Sequence, residues 1–179
     1  KKKGINPKLA VIMVGDNPAS KVYVRNKSRA CNEVGIEYTE YLLKGNTTQE
    51  ELESLIENLN KDKKVNGILL QSPLPEHLDI NKAFKEIAYL KDVDGFTPVS
   101  VGKLCIGDDT FVSCTPLGII RMIEEYNIDI SGKNVVILGR SNIVGRPLIQ
   151  CCLRKNATVT VCHSRTKDIK EHTRMADII

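Results

Sequence analysis

The chain has 179 residues, 41% hydrophobic and 27% charged, which is ordinary composition for a globular protein with one sizeable core or two small lobes. The net charge of +4 comes partly from Lys1-Lys2-Lys3, and no basic stripe is interleaved with aromatics, so nucleic-acid binding has no support. No apolar run approaches ~18–20 residues and no charged-then-apolar leader opens the chain, so no membrane contact is expected and a cytoplasmic location is the expectation.

Leu9 to Val14 is an apolar run closed by Gly15-Asp16-Asn17-Pro18, which predicts a strand running into a helix capped by Asn17, with Pro18 at its first position. That helix reaches about Val34 and stops at Gly35. Thr48-x-x-Glu51 is a capping box ahead of Leu52, Leu55, Ile56 and Leu59 at helical spacing. Val65 to Leu70 reads as a buried strand ended by Ser72-Pro73-Leu74-Pro75, Asn81 to Leu90 as a short helix and Lys91 to Gly95 as a polar loop. Another helix runs from Pro116 to Tyr126. The stretch from Lys133 to Thr166 is a strand (Val135 to Leu138), a turn bounded by Gly139 and Gly145, a helix with Pro147 in its first turn, and a second strand ending Cys162-His163-Ser164-Arg165. Ala176-Asp177-Ile178-Ile179 reads as the opening of a further strand; with no initiating Met, the sequence reads as a fragment or as ordered residues alone. Strands alternate with helices throughout, which argues for α/β layers with parallel sheets. A boundary near Cys114 to Pro116 divides the chain into 1–114 and 115–179.

Backbone N–H groups at the Gly139 to Gly145 turn, backed by the helix N-terminal charge, suit a pyrophosphate; the spacing is not the usual G-x-G-x-x-G, and the glycines alone fit an ordinary tight turn equally well. A NAD-preferring fold places an acid on the adenosine ribose ~20 residues beyond the turn. Here no acid closes the second strand and Arg140 sits on the turn, so NADP is expected over NAD, because guanidinium and hydroxyl donors accept a 2′-phosphate that a carboxylate repels. Arg140 and Arg165 also read as solvated surface charges, the commoner fate of an Arg. Tyr23 and Lys27, four apart, project from one helix face, and a Lys beside a phenol and a substrate can move protons once desolvation weakens its hold on one. The alternative is an amphipathic surface helix. Short-chain dehydrogenases use the same spacing after the dinucleotide unit, whereas here it comes before. Gln71, ending a strand beside two prolines, can orient a Lys or a substrate carbonyl without adding charge, or simply bond its own turn. Asp92 and Asp94 alternate around Val93; one could accept from an amino-substituted ring, or both could be a solvated acidic turn. Cys31, Cys105, Cys114, Cys151, Cys152 and Cys162 form no C-x-x-C pair and share no repeated spacing with the three histidines, so free thiols and no metal site are expected.

Together these segments resemble the methylenetetrahydrofolate dehydrogenase/cyclohydrolase (FolD) family over essentially the whole chain. The matching stretches are Val14-Gly15-Asp16-Asn17-Pro18-Ala19-Ser20 through Tyr23-Val24-Arg25-Asn26-Lys27, then Gly67-Ile68-Leu69-Leu70-Gln71-Ser72-Pro73-Leu74-Pro75, then Lys91-Asp92-Val93-Asp94-Gly95-Phe96. Cys114-Thr115-Pro116, Gly139-Arg140-Ser141 and Thr158 through Ser164 follow, and the order and spacing of all the pieces carry the specificity. The resemblance implies an α/β chain of two lobes, an N-terminal folate-binding catalytic domain and a Rossmann-like NADP-binding domain facing it, incomplete at the C-terminus. It implies Tyr23 stacking on the folate, Lys27 as the principal catalytic group, Gln71 positioning Lys27 and Asp94 anchoring the pterin, with Ser20, Leu70, Ser72 and Pro73 also at the substrate. Gly139, Arg140, Ser141, Val144, Gly145, His163 and Ser164 would hold the cofactor. A pterin suits an aromatic platform, and its amino group suits a carboxylate. Ser72 stands where the family usually has a bulkier aliphatic residue, and the family's later glycine-proline-rich loop, which also lines the folate site, has no counterpart in these residues. The implied activity is NADP-dependent oxidation of 5,10-methylenetetrahydrofolate followed by hydrolysis to 10-formyltetrahydrofolate, in a homodimer joined through the nucleotide lobes. The rival readings are a two-lobe dehydrogenase of the shikimate type and a catalytically inactive nucleotide-binding scaffold.

Overall fold

Lys8–Val14 forms β1, and Ala10, Val11 and Ile12 at its centre are completely buried. β1 pairs in parallel with β2 (Glu37–Leu43) on one edge and with β3 (Gly67–Leu70) on the other, so the order is β2-β1-β3. A strand paired on both edges inside an α/β layer has to be apolar almost throughout, as the sequence of β1 is. The computed structural model describes residues 6 to 179, and the opening lysine run lies outside the described residues.

Helix α1 (Pro18–Val34) joins β1 to β2, with the Asn17 side chain accepting from the Ser20 N–H and Gly35 closing it in the left-handed region. Helix α2 (Gln49–Lys61) opens on the expected capping box: the Glu51 N–H donates to Thr48 Oγ1, and the Thr48 N–H donates to the Glu51 carboxylate. The single helix expected from Asn81 to Leu90 is instead α3 (Ile80–Glu86) and a separate 3₁₀ turn at Tyr89–Lys91. The break has a visible cause. Asn60 Nδ2 donates to the Glu86 carbonyl and Asn60 Oδ1 accepts from the Ala88 N–H, drawing the chain at Ile87 and Ala88 into extended backbone. The strand expected from Val65 begins at Gly67, although Val65 is itself buried.

The chain divides into two compact units between Val93 and Asp94, ahead of the boundary expected at 114/115. The reason is α4 (Pro98–Ile106), which together with the loop behind it belongs to the second unit, where Arg154 donates to the Asp108 carbonyl at 2.7 Å. That unit continues with α5 (Cys114–Glu125), β4 (Asn134–Leu138), α6 (Gly145–Arg154), β5 (Thr158–Cys162) and α7 (Ile169–Arg174). β4 and β5 pair in parallel across α6, over a core built from Ile120, Ile130, Val135, Ile137, Cys152 and Ala157. The expected strand at 176–179 is present as a parallel bridge from Ile178 to Val135, on the edge of β4 away from β5. All six cysteines are free, and burial pushes the thiols of Cys151 and Cys152 up, which keeps them protonated packing groups. Among the described residues, no helix is long and apolar enough to cross a membrane.

The start of α6 rests on close packing. A Cβ on Gly145 would overlap the Gly139 carbonyl oxygen and lie 2.8 Å from the Gly139 carbonyl carbon and 2.9 Å from Arg140 Cα. These are backbone atoms, so the turn cannot yield without opening. Gly145→Ala is expected to destabilise the protein by about 1–3 kcal/mol, as overpacking does. Thermal unfolding checks this, and an unchanged midpoint would mean that the turn adapts.

Candidate active site

The strands of the first unit are parallel, so their carboxyl ends lie along one edge. With the order β2-β1-β3, successive connections run to opposite sides of β1, so the switch point lies between β1 and β3, and open α/β sheets bind ligands at such a point. Gln71 follows β3 directly; its N–H donates to the Ile12 carbonyl at 2.8 Å, which continues the ladder with β1 for one more residue. On α1, Ser20, Val24 and Cys31 are buried, and Lys27 falls on the same stripe at helical spacing, half-buried. This places its side chain on the sheet side of α1, and Lys27 Nζ donates to Gln71 Oε1 at 2.7 Å. Gln71 Nε2 in turn donates to the Ser72 carbonyl at 2.7 Å, which fixes which end of the amide faces the lysine. Both readings of Gln71 therefore hold at once: it bonds its own turn and it orients a Lys. The peptide between Ser72 and Pro73 is cis.

Tyr23, one turn before Lys27, is 62% exposed, so its ring is offered to solvent instead of to the core. The backbone beneath it is held by Tyr38 on β2, whose hydroxyl donates to the Val24 carbonyl at 3.3 Å. Burial pushes the Tyr38 hydroxyl up to about 12, so it stays protonated and able to donate. Ser20 is buried, and its hydroxyl has no hydrogen-bond partner. Leu70 is buried, Ser72 half-buried and Pro73 exposed, so these three occupy successive depths at the end of β3.

The Asp92 and Asp94 alternatives separate. Asp92 is 2% exposed and bridges to Ile68 of β3, which removes it from the solvated turn. Lys91 holds the segment from behind, donating to the Leu59 and Asp62 carbonyls at 2.6 and 2.7 Å at the end of α2, and desolvation lowers its pKa. Asp94 is half-buried and opens the second unit. Next to it, Gly95 has φ +72°, and a Cβ there would strike the Phe111 carbonyl, so only glycine fits.

In the second unit the carboxyl ends of β4 and β5 again lie together. The Gly139 N–H donates to the Cys162 carbonyl at 2.8 Å, so the turn after β4 sits beside the turn after β5. This brings the turn that carries Gly139, Arg140 and Ser141 beside the turn that carries His163 and Ser164. Gly139 has φ +132° and open space where a Cβ would point. Ser141 does more than expected: its hydroxyl accepts from the N–H groups of Val144 (3.1 Å) and Gly145 (3.4 Å), and its carbonyl accepts from Arg146 N–H (3.0 Å). The N–H groups of Val144, Gly145 and Arg146 are thus engaged within the turn. Sequence reasoning misses Ser113, which is 3% exposed and donates to the Ile143 carbonyl at 2.6 Å, pinning the far side of the same turn. A serine before a helix reads as a cap, and no local signal separates that use from this one.

The donor set fits a phosphorylated dinucleotide. The two turns carry Arg140, Ser141, Ser164 and Arg165, and no carboxylate lies between Cys162 and Lys167. Among the described residues, no group of three or more His, Cys, Asp or Glu is placed to hold a metal ion.

Known proteins match the two parts of the chain separately. Residues 1–94 match the family model for the tetrahydrofolate dehydrogenase/cyclohydrolase catalytic domain, and residues 113–179 match the model for the NAD(P)-binding domain of the same enzymes. The bifunctional protein FolD of Acetivibrio thermocellus is 58% identical over 100% of this chain, which spans 63% of that relative's length. The crystal structure of the FolD methylenetetrahydrofolate dehydrogenase/cyclohydrolase from Campylobacter jejuni aligns with TM-score 0.95 at 51% identity, over 99% of this chain and 64% of that one. The Trypanosoma brucei enzyme, complexed with NADP cofactor and inhibitor, aligns with TM-score 0.92 at 36% identity, over 99% and 61%. Shikimate dehydrogenase from Aquifex aeolicus is 15% identical with TM-score 0.52, a likeness of fold alone. With both domain models matched in order along the chain, it belongs to the tetrahydrofolate dehydrogenase/cyclohydrolase family.

Proposed function

We propose that the protein oxidises 5,10-methylenetetrahydrofolate to the 5,10-methenyl form with NADP and hydrolyses that product to 10-formyltetrahydrofolate. The observation that carries this reading is the 2.7 Å hydrogen bond from Lys27 Nζ to Gln71 Oε1, at the switch point of the first sheet. The Trypanosoma brucei relative complexed with NADP supports the choice of cofactor, as does the lack of an acid between Cys162 and Lys167.

NADP, when bound, accepts the hydride that leaves the one-carbon unit. The rest of the chemistry falls to the protein. Arg140 and Ser164 take the ribose 2′-phosphate, and Gly139, Ser141, Val144, Gly145 and His163 shape the remainder of that seat. The exposed ring of Tyr23 stacks on the folate, the Asp94 carboxylate accepts from the pterin amino group, and Ser20, Leu70, Ser72 and Pro73 line the substrate's other side. In the second reaction, water adds to the methenyl carbon and the bond to N5 breaks. One proton goes to N5 and one to solvent, and Lys27 carries the proton between water and N5. A cationic methenyl group repels an ammonium, which favours the neutral amine while substrate is bound. Gln71 suits this task because an amide orients the amine without adding a charge that would hold the proton on it. We further propose a cytoplasmic enzyme that forms a homodimer through its nucleotide units, with no nucleic-acid or membrane partner.

Lys27→Met keeps much of the stem's volume and removes the amine. Cyclohydrolase turnover is expected to fall by ~10²-fold or more while the thermal midpoint holds, since a general acid/base group contributes about that factor. Turnover within about threefold of the parent would exclude Lys27 as the proton carrier. Arg140→Ala is expected to weaken NADP relative to NAD by ~1.5–3 kcal/mol, the worth of a charged hydrogen bond. Michaelis constants for the two cofactors check this, and equal losses would move Arg140 to the pyrophosphate or to the surface.

A further inference from the structure

The turn that follows β5 holds three hydrogen bonds, two between His163 and Thr166, which face each other across it, and one from Arg165 at its tip to His163. The Thr166 N–H donates to the His163 carbonyl at 2.8 Å, which closes a four-residue turn with Ser164 and Arg165 at its tip. The His163 N–H donates to Thr166 Oγ1 at 2.8 Å. The Arg165 N–H donates to His163 Nδ1 at 3.2 Å. His163 and Thr166 are half-buried, and Ser164 and Arg165 are exposed. A turn closed by its main-chain bond alone can still rock; here side chains lock it from both ends, one residue before the tip and one after. Because the Gly139 N–H bonds the Cys162 carbonyl, the locked tip stands beside Arg140.

We infer that Thr166, working with His163, is a positioning residue for cofactor choice: the crossed bonds hold Ser164 and Arg165 where a ribose 2′-phosphate meets both of them and Arg140. This inference rests on the NADP reading above and adds to it a residue that touches no ligand. Charged donors on a loose turn bind a phosphate after ordering themselves; donors on a locked turn are already placed, so the gain falls only on the ligand that carries the phosphate.

The test is isothermal titration of the protein with NADP and, separately, NAD. Thr166→Val keeps the branched shape and removes the Oγ1 acceptor. NADP affinity is expected to fall about three- to tenfold, in proportion to one lost hydrogen bond, with NAD affinity within about twofold of the parent. Thr166→Ser restores the hydroxyl and is expected to bring NADP affinity back to within about twofold. If the valine variant does not fold, Thr166→Ala carries the same readout with less bulk. Unchanged NADP affinity in the valine or alanine variant would overturn the inference, and so would equal loss of both cofactors, which marks a merely structural residue. A parent protein that binds NAD as tightly as NADP would overturn the NADP reading itself, a result distinct from either of these.

Discussion

A lysine that has to exchange protons must be held in place by something that does not keep it charged. In the proposed reaction Lys27 is that group, and a bond between residues 44 positions apart, Lys27 Nζ to Gln71 Oε1, joins it to a neutral amide. Its geometry depends on most of the first unit. β3 must pair with β1 in register, so that Gln71 lands one residue past the Ile12 carbonyl. Helix α1 must turn its Ser20, Val24, Cys31 stripe inward, which brings Lys27 with it. Tyr38, anchored on β2, fixes the height of α1 through the Val24 carbonyl. A carboxylate in place of Gln71 would make a stronger bond and a poorer device, because an ion pair stabilises the protonated amine.

The second unit solves a different problem with the same layout. In the proposed cofactor site its two turns expose donors to a phosphate while keeping their own backbone fixed. Close contact between Gly145 and the Gly139 carbonyl, the Ser141 hydroxyl on the first N–H groups of α6, and Ser113 on the Ile143 carbonyl together hold the first turn. Arg140 is left exposed on that fixed backbone. The proposed binding groups are thus surface residues on a scaffold that is over-determined beneath them, which is what preorganisation requires.

Much of this was legible from residues alone where the cause is local. Asn17, Pro18 and Gly35 bound α1, Thr48 and Glu51 open α2, and the run from Leu9 to Val14 is β1 because each signal acts within a few residues of its effect. β2 gave no such signal. Its residues alternate irregularly between exposed and half-buried, and it is a strand because β1 offers a parallel edge to Glu37–Leu43. Helix α4 carries a Thr97 cap, Pro98 and a Gly107 stop, yet only Ser100 and Leu104 in it are buried, so its apolar spacing is too sparse to stand out. The split of the helix expected at 81–90 comes from Asn60, far away in sequence. In the site, spacing suggested that Tyr23 and Lys27 share a face, whereas the pairing of Lys27 with Gln71 and the engagement of Ser141 and Ser113 within the glycine turn are tertiary facts that no pattern along the chain contains.

The claim that Gln71 acts through Lys27, and only through it, is tested most directly by a double-mutant cycle on the hydrolysis of methenyltetrahydrofolate, combining Lys27→Met with Gln71→Leu. Residues that act as a unit are strongly non-additive. If the 2.7 Å bond is the means by which Gln71 contributes, the double variant will hydrolyse no more slowly than Lys27→Met alone, because nothing is left to orient. A double variant slower by the full product of the two single effects would contradict the account and give Gln71 a separate role at the substrate.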